Sequence, residues 1–185
     1  MDRYYDRNFT IAYRVGVLRD RMNAYKFCDG AAGWGLIFAR VLIGYLNDNR
    51  AEFASRNLIV ANPTYSRKPK PRNNASFIVG TAAKINADAW PFDDQDTPAI
   101  IKIRNTSPMH EAKWRQRQTI AEDELRQALR ISDVARTRGK RVIVFDDLFT
   151  TGHTLNEVAR CLVETGRALQ VTGISLARQP RGSGG

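Results

Sequence analysis

The stretch from Arg141 to Thr154, RVIVFDDLFTTGHT, constrains the fold more than any other part of this chain. Residues 142–145 form a continuous apolar and mostly β-branched run, which is too short for a free-standing helix and is typical of a strand buried on both faces. The run ends in Asp146 and Asp147. Because open parallel sheets bind ligands at the carboxyl ends of their strands, the sequence predicts two carboxylates at a binding edge.

The residues after the two acids have the composition of an anion-binding turn, since Thr150, Thr151, Gly152 and Thr154 follow almost at once. Backbone N–H groups and threonine hydroxyls can converge there on one phosphate, and the following helix adds a positive dipole end. Thr154 and Glu157 also match a capping box, which occurs in helices of no special function. That pattern leaves two adjacent like charges unexplained, so we interpret the segment as a phosphate-sugar site.

The segment VIVFDDLFTTGHT resembles the phosphoribosyl-pyrophosphate (PRPP) motif of type I phosphoribosyltransferases. Further segments narrow the resemblance to the ComF family of phosphoribosyltransferase-like competence proteins: YKF at 25–27, IVANPT at 59–64, the basic residues of 104–117, GKRVIVFDDLFTTGHTL at 139–155 and ISLARQP at 174–180. ComF proteins often carry a four-cysteine zinc module ahead of the transferase domain, whereas this sequence has two cysteines. Their usual Arg-Gly-Phe-Asn-Gln segment after the first strand is replaced by SRKPKPRNNASF.

The resemblance implies a role for each matching residue. Asp146 and Asp147 would bind the ribose hydroxyls and carry the catalytic role. The 5′-phosphate would be cradled by Thr150, Thr151, Gly152, His153 through its backbone N–H, and Thr154. Pyrophosphate contacts would come from Thr64, Tyr65, Ser66, Arg67, Lys102, Arg104, His110 and Lys113. Magnesium would arrive on PRPP, coordinated mainly by PRPP oxygens rather than by a protein metal site. The implied reaction transfers phosphoribose to a nitrogenous base or amine with release of pyrophosphate.

Hydrophobic periodicity predicts strands alternating with helices, which favours a doubly wound parallel α/β sheet with flanking helices. The predicted strands are 57–61, 99–103, 142–145 and 171–177, and the predicted helices are 15–27, 33–47, 74–89, 119–129 and 155–162. Residues 1–14 are expected to form a short polar arm and residues 105–118 a flexible lid loop. The loops after positions 61, 103 and 145 should gather at the binding crevice, as in the type I phosphoribosyltransferase fold.

With 185 residues and 43% hydrophobic content, the chain suits one domain, residues 1–180, with a flexible tail at 181–185. Since no apolar stretch approaches ~20 residues and the N-terminus is polar, we expect a cytoplasmic protein without membrane contact. Cys28 and Cys161 stand singly in helical patterns, which favours reduced core residues over a zinc site or disulfide. The acidic stretch 90–98 has three aspartates that could suggest a metal site, but no histidine or glutamate completes a ligand set nearby, so it is interpreted as a surface turn.

A net charge of +10 suits either a polyanionic small substrate or nucleic acid, DNA or RNA. Basic residues cluster at 67–72 and 113–117, where solvated loops would look the same. Two hypotheses follow: an enzyme that uses PRPP, or a nucleic-acid-binding or PRPP-sensing regulatory protein without turnover. The sequence does not declare the acceptor, and a homodimer is a further expectation because dimers are common in this fold.

Overall fold

The computed structural model describes residues 2–28, 33–65, 74–86, 89–107 and 114–180. The strands are β1 (Asn8–Tyr13), β2 (Leu58–Ala61), β3 (Ile100–Lys102), β4 (Leu129–Ile131), β5 (Arg141–Phe149) and β6 (Gln170–Arg178). The helices are α1 (Gly16–Phe27), α2 (Gly33–Asp48), α3 (Arg50–Phe53), α4 (Ala75–Ile85), α5 (Trp114–Thr119), α6 (Arg126–Ala128), α7 (Val134–Thr137) and α8 (His153–Arg160). Two π-helical segments, Ile120–Leu125 and Cys161–Thr165, continue α5 and α8. Within these ranges no helix is long and apolar enough to cross a membrane.

Four parallel strands form the main sheet in the order β1-β6-β5-β2. The apolar run of β5 alternates between the two faces, as side chains of a strand must. Ile143 and Phe145 belong to a core shared with α1, α2, α3 and α4, whereas Val142 and Val144 belong to a second core shared with α8. Helices therefore cover both faces, and the predicted doubly wound α/β architecture is confirmed.

The expected polar arm at the N-terminus is wrong for residues 8–13, which form β1 and pair in parallel with β6. Phe9 and Ile11 pack against the core, and the Phe9 ring meets Phe53 edge-on at a centroid distance of 5.1 Å. Charged residues on both sides of this short segment hide its apolar alternation from a sequence-based reading. Pairing with β6, which is distant in sequence, stabilises residues 8–13 as a strand.

The strand at 99–103 forms, but not in the predicted sheet. β3 pairs antiparallel with β4 in a separate two-stranded sheet. The loop after position 103 therefore follows no strand of the main sheet, and its place at the binding crevice stays a prediction. Thr119 does not cap a helix either, because it has helical dihedral angles and its side chain makes no capping hydrogen bond. The sequence pattern of a three-residue strand is too short to predict which strand it will pair with.

Several predicted helices are confirmed, although their buried faces differ in detail. α1 ends at Phe27 and α2 spans Gly33–Asp48, close to the predicted bounds. In α2 not every apolar side chain faces the core: Ala39 and Leu46 are buried, whereas Ile37 and Val41 are exposed. Cys161 is buried as expected, but Cys28 follows the last turn of α1 and is exposed, so its assignment to the core is wrong.

The acidic segment before β3 is only partly a surface turn. Asp94 and Asp96 are exposed, but Asp93 is 2% exposed. One Asp93 oxygen accepts a hydrogen bond from the backbone N–H of Ala99 at 2.8 Å, and the other pairs with Arg136 of α7. Burial raises the pKa of Asp93, and the N–H group and the cation oppose that shift. Asp93 therefore holds the entry to the second sheet against α7.

A fully buried carboxylate connects α8 to the helical segment ahead of it. The two oxygens of Glu157 accept hydrogen bonds from Nη2 and Nε of Arg126 at 2.9 Å each, and one also accepts from Nε of Arg160 at 2.8 Å. Burial alone would raise the pKa of Glu157, but the two guanidinium groups outweigh it and lower the pKa. Two cations compensate one buried anion here, so we expect removal of the Glu157 charge to destabilise the fold.

Replacing Glu157 by Gln should lower the free energy of unfolding by about 2–4 kcal/mol, because two guanidinium groups would lose their buried counter-charge. Urea unfolding at pH 7 measures the change. Glu164→Gln is the matched control: Glu164 is half-exposed and accepts from the same Arg160 at 2.5 Å, so its loss should cost less than ~1 kcal/mol. Equal costs in the two variants would contradict the importance of the buried contact.

Candidate functional site

The two acids lie in the second half of β5, at a place where the sheet is paired on one side only. The strand runs to Phe149 rather than ending at the predicted Phe145, so the acids lie inside it. β2 stops at Ala61, which pairs with Phe145, whereas β6 continues beside β5 as far as Arg178. Asp146 and Asp147 therefore extend past the end of β2, at the step that its shorter pairing leaves in the sheet.

The acids are held by three neighbouring groups. Oδ1 of Asp146 accepts a hydrogen bond from the backbone N–H of Asp147 at 2.9 Å, and the Asn62 side chain also hydrogen-bonds to Asp146. Oδ2 of Asp147 forms an ion pair with Nζ of Lys26, the residue before the last one of α1, at 2.8 Å. Asp147 is 8% exposed, so this ammonium group compensates a mostly buried charge.

The surroundings of Asp146 shift its pKa into the neutral range. Burial, and then the charge of Asp147, raise the pKa of Asp146 to about 7, although Asn62 and Lys26 oppose the shift. Tyr25 lies close by, and burial followed by the charge of Asp147 raises its pKa as well. Lys26 acts on both carboxylates, and a ligand that brings hydroxyl donors or a further cation would relieve the repulsion between them.

The turn after β5 depends on glycine at position 152. Gly152 has a φ of 84°, and a Cβ atom there would lie 2.7 Å from the Tyr5 hydroxyl oxygen and 3.1 Å from the Phe149 ring. A larger residue would be strained by conformation and by contact. α8 starts at the next residue, and Gly152 O accepts the N–H of Asn156 at 2.8 Å. The first N–H groups of α8 thus adjoin the turn, as anion binding requires.

The capping-box alternative for this turn fails in the structure. Gly152 occupies the N-cap position of α8, not Thr154. Glu157 cannot reach back to a cap because both of its oxygens bind Arg126 and Arg160. The threonine-rich composition of the turn is therefore left without that structural explanation.

The remaining predicted residues that the structure describes belong to two places: the loop after β2, and the second sheet with the loop that follows it. Thr64 and Tyr65 follow Asn62 after one proline, and Asn62 hydrogen-bonds to Asp146, so their loop starts beside that acid. Lys102 and Arg104 belong to the second sheet and its following loop, where Lys102 Nζ donates to Thr106 at 2.7 Å and Arg104 to Gln127 at 2.6 Å. Burial lowers the pKa of Lys102. Ser66, Arg67, His110 and Lys113 lie outside the described residues.

Sequence reasoning missed Lys26 and Asn62 as members of the site. Lys26 lies on the last turn of α1, far from Asp147 in sequence, and only the tertiary structure brings the two together. The signals were the segments YKF and IVANPT, which support the family resemblance without indicating a role for these two side chains.

Oxygen donors predominate among the groups that could meet a metal. The carboxylates of Asp146 and Asp147 and the amide of Asn62 are hard ligands of the kind that Mg²⁺ prefers. In the described part of the chain no group of three or more His, Cys, Asp or Glu side chains could hold a metal ion. The donor set therefore fits magnesium that keeps other ligands, such as water or phosphate oxygens.

The raised pKa of Asp146 gives a pH-dependent prediction. The folded protein holds this proton up to about pH 7, whereas an aspartate in the unfolded chain ionises near pH ~4. The folded state binds the extra proton between these values, so stability falls as pH rises through that window. Asp146→Asn should therefore unfold with about 1–3 kcal/mol more free energy than wild type at pH 8, and the difference should shrink towards pH 4.

Urea unfolding across this pH range measures the Asp146→Asn effect. Asp20→Asn, at an exposed position of α1, is the control and should show no such pH-dependent gain. A gain for Asp146→Asn that is constant with pH would contradict the assignment of the titration to Asp146.

Comparisons with known proteins agree with this geometry. Residues 100–184, which include β5, the glycine turn and α8, match the phosphoribosyl transferase domain family. A segment of 40 residues is 50% identical to competence protein ComFC of Bacillus subtilis strain 168. That segment is 22% of this chain and 17% of the competence protein, so the chain covers only a small part of that relative. With its parallel sheet, acid pair and glycine turn, the chain resembles type I phosphoribosyltransferases, and among them the ComF proteins.

Proposed function

We propose that this protein binds PRPP with magnesium and transfers the phosphoribosyl group to a nitrogenous base or amine, releasing pyrophosphate. The observation that carries the proposal is the acid pair, which extends past the end of β2 and is followed within the same connection by the glycine turn and α8. Carboxylates suit ribose hydroxyls and a helix N-terminus suits a phosphate. The two ends of a ribose 5-phosphate group thus have complementary neighbours a few residues apart.

In this proposal Asp146 and Asp147 accept hydrogen bonds from the ribose hydroxyls and fix the sugar above the sheet edge. The C1–O bond to pyrophosphate breaks, the electron pair leaves with pyrophosphate, and the ribosyl centre becomes oxocarbenium-like before the acceptor nitrogen bonds to C1. Asp147 supplies negative charge near that centre, and catalysis is mostly positioning with charge stabilisation. Lys26 compensates Asp147 in the ligand-free protein and is in reach of the same ligand.

Pyrophosphate would meet the loop that starts at Asn62 and contains Thr64 and Tyr65. Its other proposed contacts are Lys102 and Arg104, together with Ser66, Arg67, His110 and Lys113, which lie outside the described residues. Bound magnesium neutralises phosphate charge, with PRPP oxygens as its main ligands and the acid pair as a further source of oxygen donors. The identity of the base or amine follows from no residue on this edge.

Calorimetric titration of PRPP into the protein in the presence of magnesium tests the proposal. Asp147→Asn should weaken PRPP binding by ~100-fold or more, because a charged acceptor of ribose hydroxyls is lost. Asp20→Asn on the exposed surface of α1 is the control and should bind as wild type does. Circular dichroism establishes that each variant is folded, and unaltered PRPP affinity in folded Asp147→Asn would defeat the assignment.

A second candidate function is nucleic-acid binding or PRPP sensing without turnover, which the net charge of +10 favours. The basic residues Lys68 and Lys70, which lie outside the described residues, are its proposed contacts. Fluorescence anisotropy with DNA or RNA should then show a steep salt dependence, and Lys68→Ala/Lys70→Ala should reduce the slope by ~2. A slope that the double variant leaves unchanged would remove these two lysines from the interface.

A further inference from the structure

The first residues of the chain lie across the start of α8. We call residues 2–6 the N-terminal arm. The N–H of Tyr4 donates to Oδ1 of Asn156 at 2.9 Å, and Nδ2 of Asn156 returns a bond to Asp2 O at 3.0 Å. The Tyr4 hydroxyl donates to Glu164 at 2.5 Å. Asn156 is 4% exposed, so the arm is anchored by a buried amide rather than by surface contacts alone.

Anchoring of Tyr4 directs the next side chain, Tyr5, onto the glycine turn. The Tyr5 hydroxyl oxygen is 2.7 Å from the position that a Cβ atom of Gly152 would take. Within the described residues this hydroxyl makes no hydrogen bond, although it can donate one and accept others. Tyr5 is half-buried against the second core, so the hydroxyl is held at the turn by the packing of its ring.

Two arginines stack on the aromatic rings that flank Gly152. The guanidinium of Arg3 lies 4.4 Å from the centre of the Tyr5 ring, and that of Arg178 lies 5.5 Å from the centre of the Phe149 ring. Both rings contact the turn, so a single aromatic ring separates each cation from Gly152. The turn therefore has a hydroxyl donor and two positive charges in addition to the N–H groups of α8.

We propose that the N-terminal arm completes the site for the 5′-phosphate: Tyr5 donates a hydrogen bond to a phosphate oxygen, and Arg3, stacked on the same ring, supplies positive charge. This inference rests on the proposed function and adds residues that the PRPP motif does not contain. The ligand class is a sugar phosphate monoester. A ring that only sealed the turn would need no hydroxyl, so Tyr5→Phe separates the two roles.

Three ligands divide the site for the experiment: ribose 5-phosphate carries only the 5′-phosphate end, inorganic pyrophosphate only the other end, and PRPP both. Titration calorimetry with magnesium should show that Tyr5→Phe weakens ribose 5-phosphate and PRPP by ~10-fold or more, the loss expected for one hydrogen bond to a charged group. Pyrophosphate affinity should stay the same. Unchanged ribose 5-phosphate affinity in folded Tyr5→Phe would overturn the contact while leaving the proposed function intact.

Tyr4→Phe is the matched control, because it removes a hydroxyl from the same arm that bonds to Glu164 and not to the ligand. Its affinity for ribose 5-phosphate should stay within ~2-fold of wild type, as for a substitution away from the ligand. Equal losses in Tyr4→Phe and Tyr5→Phe would overturn the hydroxyl contact and assign the effect to the seating of the arm. Wild-type protein that binds neither PRPP nor ribose 5-phosphate would instead overturn the proposed function itself.

Discussion

Unequal pairing along β5 creates the site of this protein. β6 pairs with β5 from Arg141 to Phe149, whereas β2 pairs with it only from Val142 to Phe145. Among the described residues, the second half of β5 is therefore paired with a strand on one side only. If β2 were as long as β6, its backbone would occupy the space beside Asp146 and Asp147, because neighbouring strands lie only about 4.8 Å apart.

Four buried or partly buried acids, at three places in the fold, differ in how completely their charge is compensated. Two guanidinium groups surround Glu157, and Asp93 has Arg136 together with a backbone N–H. Asp146 and Asp147 share one lysine between them. Glu157 and Asp93 fasten helices and the second sheet, whereas repulsion between Asp146 and Asp147 is only partly compensated and raises the pKa of Asp146. Incomplete compensation thus distinguishes the candidate site from the structural ion pairs.

The N-terminal segment contributes to both the sheet and the site. β1 extends the main sheet beyond β6, and the N-terminal arm before it crosses the start of α8 at the glycine turn. Because Gly173 of β6 bonds to Arg7 just outside β1, the sheet pairing and the position of the arm are set together. The arm therefore brings Tyr5 to the turn with the help of pairing between β1 and a strand far along the chain, since Asn8 pairs with Gly173.

Local pattern in the sequence determined the central strand, the position of the acids, the glycine turn and most helices, since these depend on side-chain alternation, periodicity and the φ of one glycine. Tertiary structure alone decided that residues 8–13 join the sheet, that β3 leaves it for β4, and that Lys26, Asn62 and Tyr5 meet the motif. Each of these depends on contacts between distant segments, and short strands carry too few residues to specify a partner by pattern. The residue types of the motif can thus be recognised from the local sequence, whereas the residues around it are brought there by tertiary packing.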